Sequence, residues 1–221
     1  MNAFSRFLLA SAVLVSFASI SLASASGPGS AVFTYRRIFK SSTPEFIEIK
    51  IDQNSDKGSY EIRQLDEDPG ATPFDVSPAL RQRIFELIAK LNYFNGLDLD
   101  VHRKIANLGE KTFRYQRGSE AHEVEFNYTV NSSAAQLLQI CEGLARQQEL
   151  VDLLLRRIKY DRLGVNDGLL ELETDLTKGV LPEPQRLLPV LDQIAGDYRC
   201  VDIARQRARA LAEKIRHPST G

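Results

Sequence analysis

The chain has no tryptophan, one methionine, two cysteines and three histidines in 221 residues, and each scarcity narrows what it can be. Without tryptophan, aromatic platforms for sugars or bases would have to come from seven tyrosines and eleven phenylalanines, which weakens a carbohydrate-binding reading. His102, His122 and His217 are too scattered to suggest a zinc site. No basic excess exists either: 28 Lys and Arg stand against 29 Asp and Glu, for a net charge of −1. Nucleic acid is therefore not an expected partner, because phosphate binding needs clustered cations. Beyond Leu22 no apolar run approaches the ~20 residues of a membrane-spanning helix. A nucleophile elbow, a zinc helix, a phosphate-binding glycine loop and a kinase signature are all missing, so no cofactor is expected.

The N-terminus carries the strongest signal present. Arg6 is the only charge before the run Phe7 to Leu22, and Ala23-Ser24-Ala25 then offers small side chains where a signal peptidase needs them. Residues 1–25 read as a signal peptide cleaved after Ala25, which places the protein in the periplasm or outside the cell. No nearby cysteine is available for lipid attachment, so the exported chain is expected to be soluble. The remaining 196 residues hold 27 cations and 29 anions, Arg6 being the one charge removed, and suffice for one large domain with an appendage.

Residues 26–30 form a Gly/Pro/Ser leader. Val32 to Ile38 alternates with Phe33 and Tyr35 on one side, as a half-buried strand does. Ile47, Ile49 and Ile51 alternate with polar residues, as do Tyr60 and Ile62, and the polar turn at 53–58 makes these two runs a hairpin. Asp66 to Asp75, with two prolines and a glycine, reads as loop. Ser77 and Pro78 then suit an N-cap and first helical position, with Leu80, Ile84, Leu87, Ile88 and Leu91 on one stripe and Asn95-Gly96 as the stop. A second hairpin follows over Thr112 to Gln116 and Glu123 to Val130. Ser132 or Ser133 then caps a long helix reaching about Tyr160, with Leu137, Cys141, Leu144, Val151, Leu155 and Ile158 as its stripe.

The fold class is thus α+β: an antiparallel sheet of about five strands in the order β-β-β-α-β-β-α, covered on one face by helices, over residues 31–160. Residues 161–217 are expected to form a helical extension packed on the far end of the long helix, with Gly179 ending one helix and Pro189 kinking or splitting another.

Cys141 and Cys200 are an expected disulfide for an exported protein, closing a loop of ~60 residues for roughly 4 kcal/mol on the chain-entropy model. Two separate buried thiols are the simpler alternative. A sharper one makes Cys141 a nucleophile with His122 as base in a thiol-dependent hydrolase. Asp52, Asn54 and Asp56 with Gly58 resemble a calcium loop, but Lys57 and Arg63 stand where its glycine and bidentate glutamate belong, so an ordinary polar turn is favoured. Six cations on the final helix could face an anionic membrane, though its alanine-rich apolar side favours helix packing. The charged sheet face centred on Glu48, Lys50, Glu61, Arg63 and Arg114 is the expected protein-partner surface.

From these features the expected function is a non-enzymatic binding or envelope-interaction module with a possible protein partner in the envelope or extracellular space. Its two rivals are the Cys141/His122 hydrolase and an assembly factor acting through the C-terminal helices.

Overall fold

A computed structural model describes residues 29–218. The proposed signal peptide, and the leader up to residue 28, lie outside the described residues. Six strands form one antiparallel sheet: β1 (Ala31–Ile38), β2 (Phe46–Asp52), β3 (Lys57–Arg63), β4 (Thr72–Asp75), β5 (Glu110–Arg117) and β6 (Glu120–Phe126). Their order across the sheet is β4-β3-β2-β1-β5-β6. The strand absent from the expectation is β4, inside the stretch taken as loop. It is four residues long and contains Pro73, which an edge position tolerates because one side of the strand has no ladder to donate to.

Between β4 and β5 lies helix α1 (Pro78–Lys90). Ser77 caps it as expected, accepting the Leu80 amide at 3.1 Å with Pro78 in the first turn. The helix ends earlier than Asn95-Gly96. Asn92, Tyr93 and Phe94 turn left-handed in succession, with φ of 49°, 53° and 65°. Such a run opposes the chirality of L-residues, and packing holds it: Phe94 is buried with its ring 5.6 Å from Phe113, and Tyr93 lies 5.0 Å from Tyr115.

Period-two alternation sends Phe33, Tyr35, Ile47, Ile49, Ile51, Phe113, Tyr115, Val124 and Phe126 to one face, where α1 and the first half of helix α2 (Ser132–Tyr160) close over them. The helix is capped by Asn131, one residue before the expected serines, whose Oδ1 accepts the amides of Ser133 and Ala134 at 3.0 and 3.1 Å. Tyr128 and Val130, expected on the strand, lie beyond β6 and are exposed.

The second half of α2 turns a different stripe inward. Leu150, Leu154 and Ile158 pack with helices α3 (Val165–Lys178), α4 (Leu188–Gly196) and α5 (Asp202–Arg216) in a second core, while Leu155 is left exposed. Gly179, φ +66°, stops α3. Pro189 falls in the first turn of α4, which follows directly on the 3-10 turn Pro184–Leu187, so at the expected kink or split the winding changes from 3-10 to α with helical backbone at both junction residues.

A buried carboxylate ties the two cores together. Glu183 accepts the Ser77 amide at 3.0 Å at the start of α1, while its own amide donates to Gln147 Oε1 on α2 at 3.1 Å. Beside this tie the 180–182 segment rides directly on the α2 backbone at Gly143, where a Cβ would run into the Val180 carbonyl.

Candidate functional site

At the end of the sheet where β5 begins, two charged residues point inward among the core positions. Lys111 and Arg37 are partners across the β1–β5 ladder and share the inward face with Tyr35 and Phe113. Opposite them, α2 presents Glu142, Arg146 and Glu149, spaced one turn and two turns apart. Together they form a polar seam between sheet and helix, beside the core rather than within it.

Next to the seam is a pocket of about 560 Å³, bounded by the loops flanking β5 and β6, the first half of α2, and Val180. Leu108, Tyr128, Leu138 and Val180 make apolar walls, and Lys111, Glu142 and Arg146 are its charged members. The Lys111 ammonium donates to the carbonyls of Leu108, Gly109 and Asn127 at 2.9, 3.1 and 2.9 Å, so its three protons are all taken. Burial lowers its pKa, with Glu142 pulling the other way. Arg146 donates to Asp175 at 2.7 Å and Glu171 at 3.1 Å, joining α2 to α3. Burial raises the Glu149 carboxyl, against the lowering charge of Arg146.

Glu142 differs from these neighbours. It makes no ion pair within 4.0 Å among the described residues, and its carboxylate stands beside the fully buried Tyr35 hydroxyl, near enough to act on it as a hydrogen-bond acceptor although no well-formed bond joins them. Burial first, and then Glu142, push the Tyr35 phenol well above its ordinary pKa, so it stays protonated.

The expected disulfide is not formed: both cysteines are free and buried. The physical reason is the division of the molecule, since Cys141 belongs to the core under the sheet and Cys200 to the core of the C-terminal helices. Cys141 does not fit the role of nucleophile either. It is fully buried, and burial, followed by the charge of Glu142, raises its pKa well above that of a free thiol, away from the reactive thiolate. His122 stands opposite Tyr115 on β5 with its Nε2 3.7 Å from Glu120, and its buried Nδ1 has no hydrogen-bond partner, so no contact with Cys141 activates that thiol.

Asp52, Asn54 and Asp56 form no metal-holding group with other carboxylates, histidines or cysteines among the described residues, and the Asp52 carboxylate is taken up by its own turn. Asp52 accepts the Asn54 amide at 2.7 Å and the Ser30 hydroxyl, and the Asp56 carbonyl accepts the Val76 amide at 2.8 Å. On the open sheet face the expected exposed centre, Glu48, is only 7% exposed. Arg36 at 2.7 Å and Lys50 at 2.5 Å close over it. Burial works to raise the Glu48 pKa, but those two hydrogen bonds win and lower it. Arg63 pairs with Glu61 at 2.5 Å and Arg114 with Glu123 at 3.4 Å, so this face largely neutralises itself. The basic residues of α5 are likewise engaged, Arg207 with Glu173 at 2.5 Å and Arg216 with Asp192 at 2.6 Å.

Sequence reasoning had missed Lys111, Glu142 and Arg146. One signal was available: a lysine and an arginine at inward positions of two alternating strands, where apolar side chains are the rule. No protein-family model matches this chain, and no curated protein is measurably similar to it in sequence.

Proposed function

We propose that the chain is an exported, non-enzymatic binding protein whose ligand enters the pocket between the β5–β6 loops and the first half of α2. One observation supports this reading above the others. The pocket's two cations are already paired within the protein, Lys111 with three carbonyls and Arg146 with Asp175 and Glu171, whereas Glu142 stands at the mainly apolar lining with no ion-pair partner among the described residues. Such a site favours a ligand with an apolar body and a single hydrogen-bond donor, since the walls reward apolar area and Glu142 rewards the donor. Catalysis would need an accessible nucleophile or a poised acid–base pair, and the buried thiol of Cys141 supplies neither.

A fluorescence titration with N-phenyl-1-naphthylamine, an apolar amine with one N–H, tests the reading. The expected result is saturable one-site binding that is lost in Ala135→Trp, which fills the pocket from α2, and weakened several-fold in Glu142→Gln. Binding that is equally strong in Ala135→Trp would place the probe elsewhere and overturn the assignment.

A further inference from the structure

Four of the five most exposed large apolar side chains in the described residues gather at one end of the molecule: Tyr198 (84%), Leu163 (77%), Tyr160 (73%) and Ile203 (56%). Their proximity follows from contacts between the elements that carry them. Arg207 of α5 donates to Asn166 and Glu173 of α3, and Lys214 one element-half further on reaches Thr177, so α3 and α5 run side by side with their N-termini together. Arg162, in the α2–α3 loop, lies near Asp197 in the α4–α5 loop and helps keep that carboxylate charged. The end of α2, both loops and the starts of α3 and α5 thus form one tip, which projects Tyr160, Leu163, Tyr198 and Ile203 into water.

The tip is also basic. Residues 156–168 and 197–205, which include the first turn of α3, carry six cations against four carboxylates, a local charge of +2 in a chain whose net charge is −1. Three of the carboxylates are engaged locally: Asp197 with Arg199 at 2.8 Å, Asp202 with Arg205, and Asp161 with the Gly164 amide at 3.0 Å. Arg156 and Lys159 are exposed and make no ion pair within 4.0 Å among the described residues, the Lys159 ammonium resting 4.8 Å above the Tyr160 ring.

Tyrosines beside protruding aliphatic residues, flanked by the unpaired Arg156 and Lys159, suit a surface that is apolar beneath and negative at its edge. We infer that this tip docks on an anionic lipid bilayer, with Leu163 and Ile203 entering the headgroup–acyl boundary, the tyrosines at headgroup level and the cations on lipid phosphates. A second copy would bring two positively charged tips together, and a purely apolar partner would leave the cations unused. The docking is peripheral, since among the described residues no helix is long and apolar enough to cross a membrane. It does not depend on what enters the pocket, which opens onto the other half of α2.

Flotation with vesicles of pure phosphatidylcholine, and of phosphatidylcholine with 30% phosphatidylglycerol, tests the inference on the full chain. A chain beginning at Ser26 is run in parallel, so that binding through the apolar run at residues 7–22 is told apart. Both chains are expected to float with the anionic vesicles, and the Ser26 chain to stay in solution with the neutral ones. In the Ser26 chain, Leu163→Ser/Tyr198→Ser and Arg156→Glu/Lys159→Glu should each lower the bound fraction at least five-fold. All four side chains are exposed, so circular dichroism should be unchanged and a folding defect is separable. No flotation of the Ser26 chain with anionic vesicles, or undiminished flotation of both double variants, would overturn the proposal. So would a concentration-dependent dimer of the wild type that Leu163→Ser/Tyr198→Ser abolishes, because the patch would then be covered by a second copy.

Discussion

Glu149 is held partly buried between α2 and the sheet, and its raised pKa means that the folded carboxyl binds its proton more tightly than the unfolded one does. The fold is therefore favoured most below the unfolded pKa, near 4, and loses stability as pH rises through the higher folded value. Replacing the group with a neutral isostere removes that loss. Glu149→Gln should raise the unfolding free energy at pH 7 by on the order of 1 kcal/mol or less, with the gain vanishing below about pH 4 in urea titrations at several pH values. Glu48 carries the opposite sign: its lowered pKa contributes stability above the unfolded pKa that is lost as pH falls through the folded one. The two cysteines make a second residue-scale test. A thiol reagent should label neither Cys141 nor Cys200 in the native protein and both after unfolding without reductant, whereas a bridged pair would stay unlabelled in both states.

At the scale of elements, legibility in the sequence followed the physical strength of the local pattern. β1, β2, β3, β5 and β6 alternate cleanly because one face is dry and the other wet, and α1 carries a side-chain cap, an N-terminal proline and a regular stripe. β4 escaped notice because four residues around a proline hold no period, and it exists only through pairing with β3. The left-handed run at Asn92 to Phe94 was hidden for a related reason: Asn92 tolerates that conformation but Tyr93 and Phe94 do not favour it, and the aromatic contacts of Phe94 and Tyr93 that hold it come from distant strands. The pocket was illegible because its lining comes from β5, the loops around β6, α2 and the segment after α3. Gly143 also looked unremarkable, although it governs how closely that last segment approaches. Gly143→Ala should add up to ~1 kcal/mol of helix propensity, yet the methyl meets a backbone carbonyl that cannot rotate away. The clash outweighs the gain, and a net destabilisation of roughly 1–3 kcal/mol is expected in denaturant unfolding.

For the molecule as a whole, the sheet core and the helical core share α2 and are laced by the Glu183 bonds to Ser77 and Gln147. Glu183→Ala leaves the Ser77 amide without its carboxylate in a half-buried site and should cost roughly 1–3 kcal/mol. Because the lost bond lies between the cores, differential scanning calorimetry should show a broader or split transition in this variant where the wild type unfolds in one step. The pocket and the exposed tip occupy the two halves of the same helix, ~30 Å apart at ~1.5 Å per residue. That shared helix has a consequence for how the chain can be dismantled. Proteases cut folded proteins at slack connections, and between these two halves there is none: the path from one core to the other is a hydrogen-bonded rod lined on successive faces by Cys141, Leu144, Leu150 and Leu154. The place where a two-part protein is ordinarily easiest to sever is here the hardest.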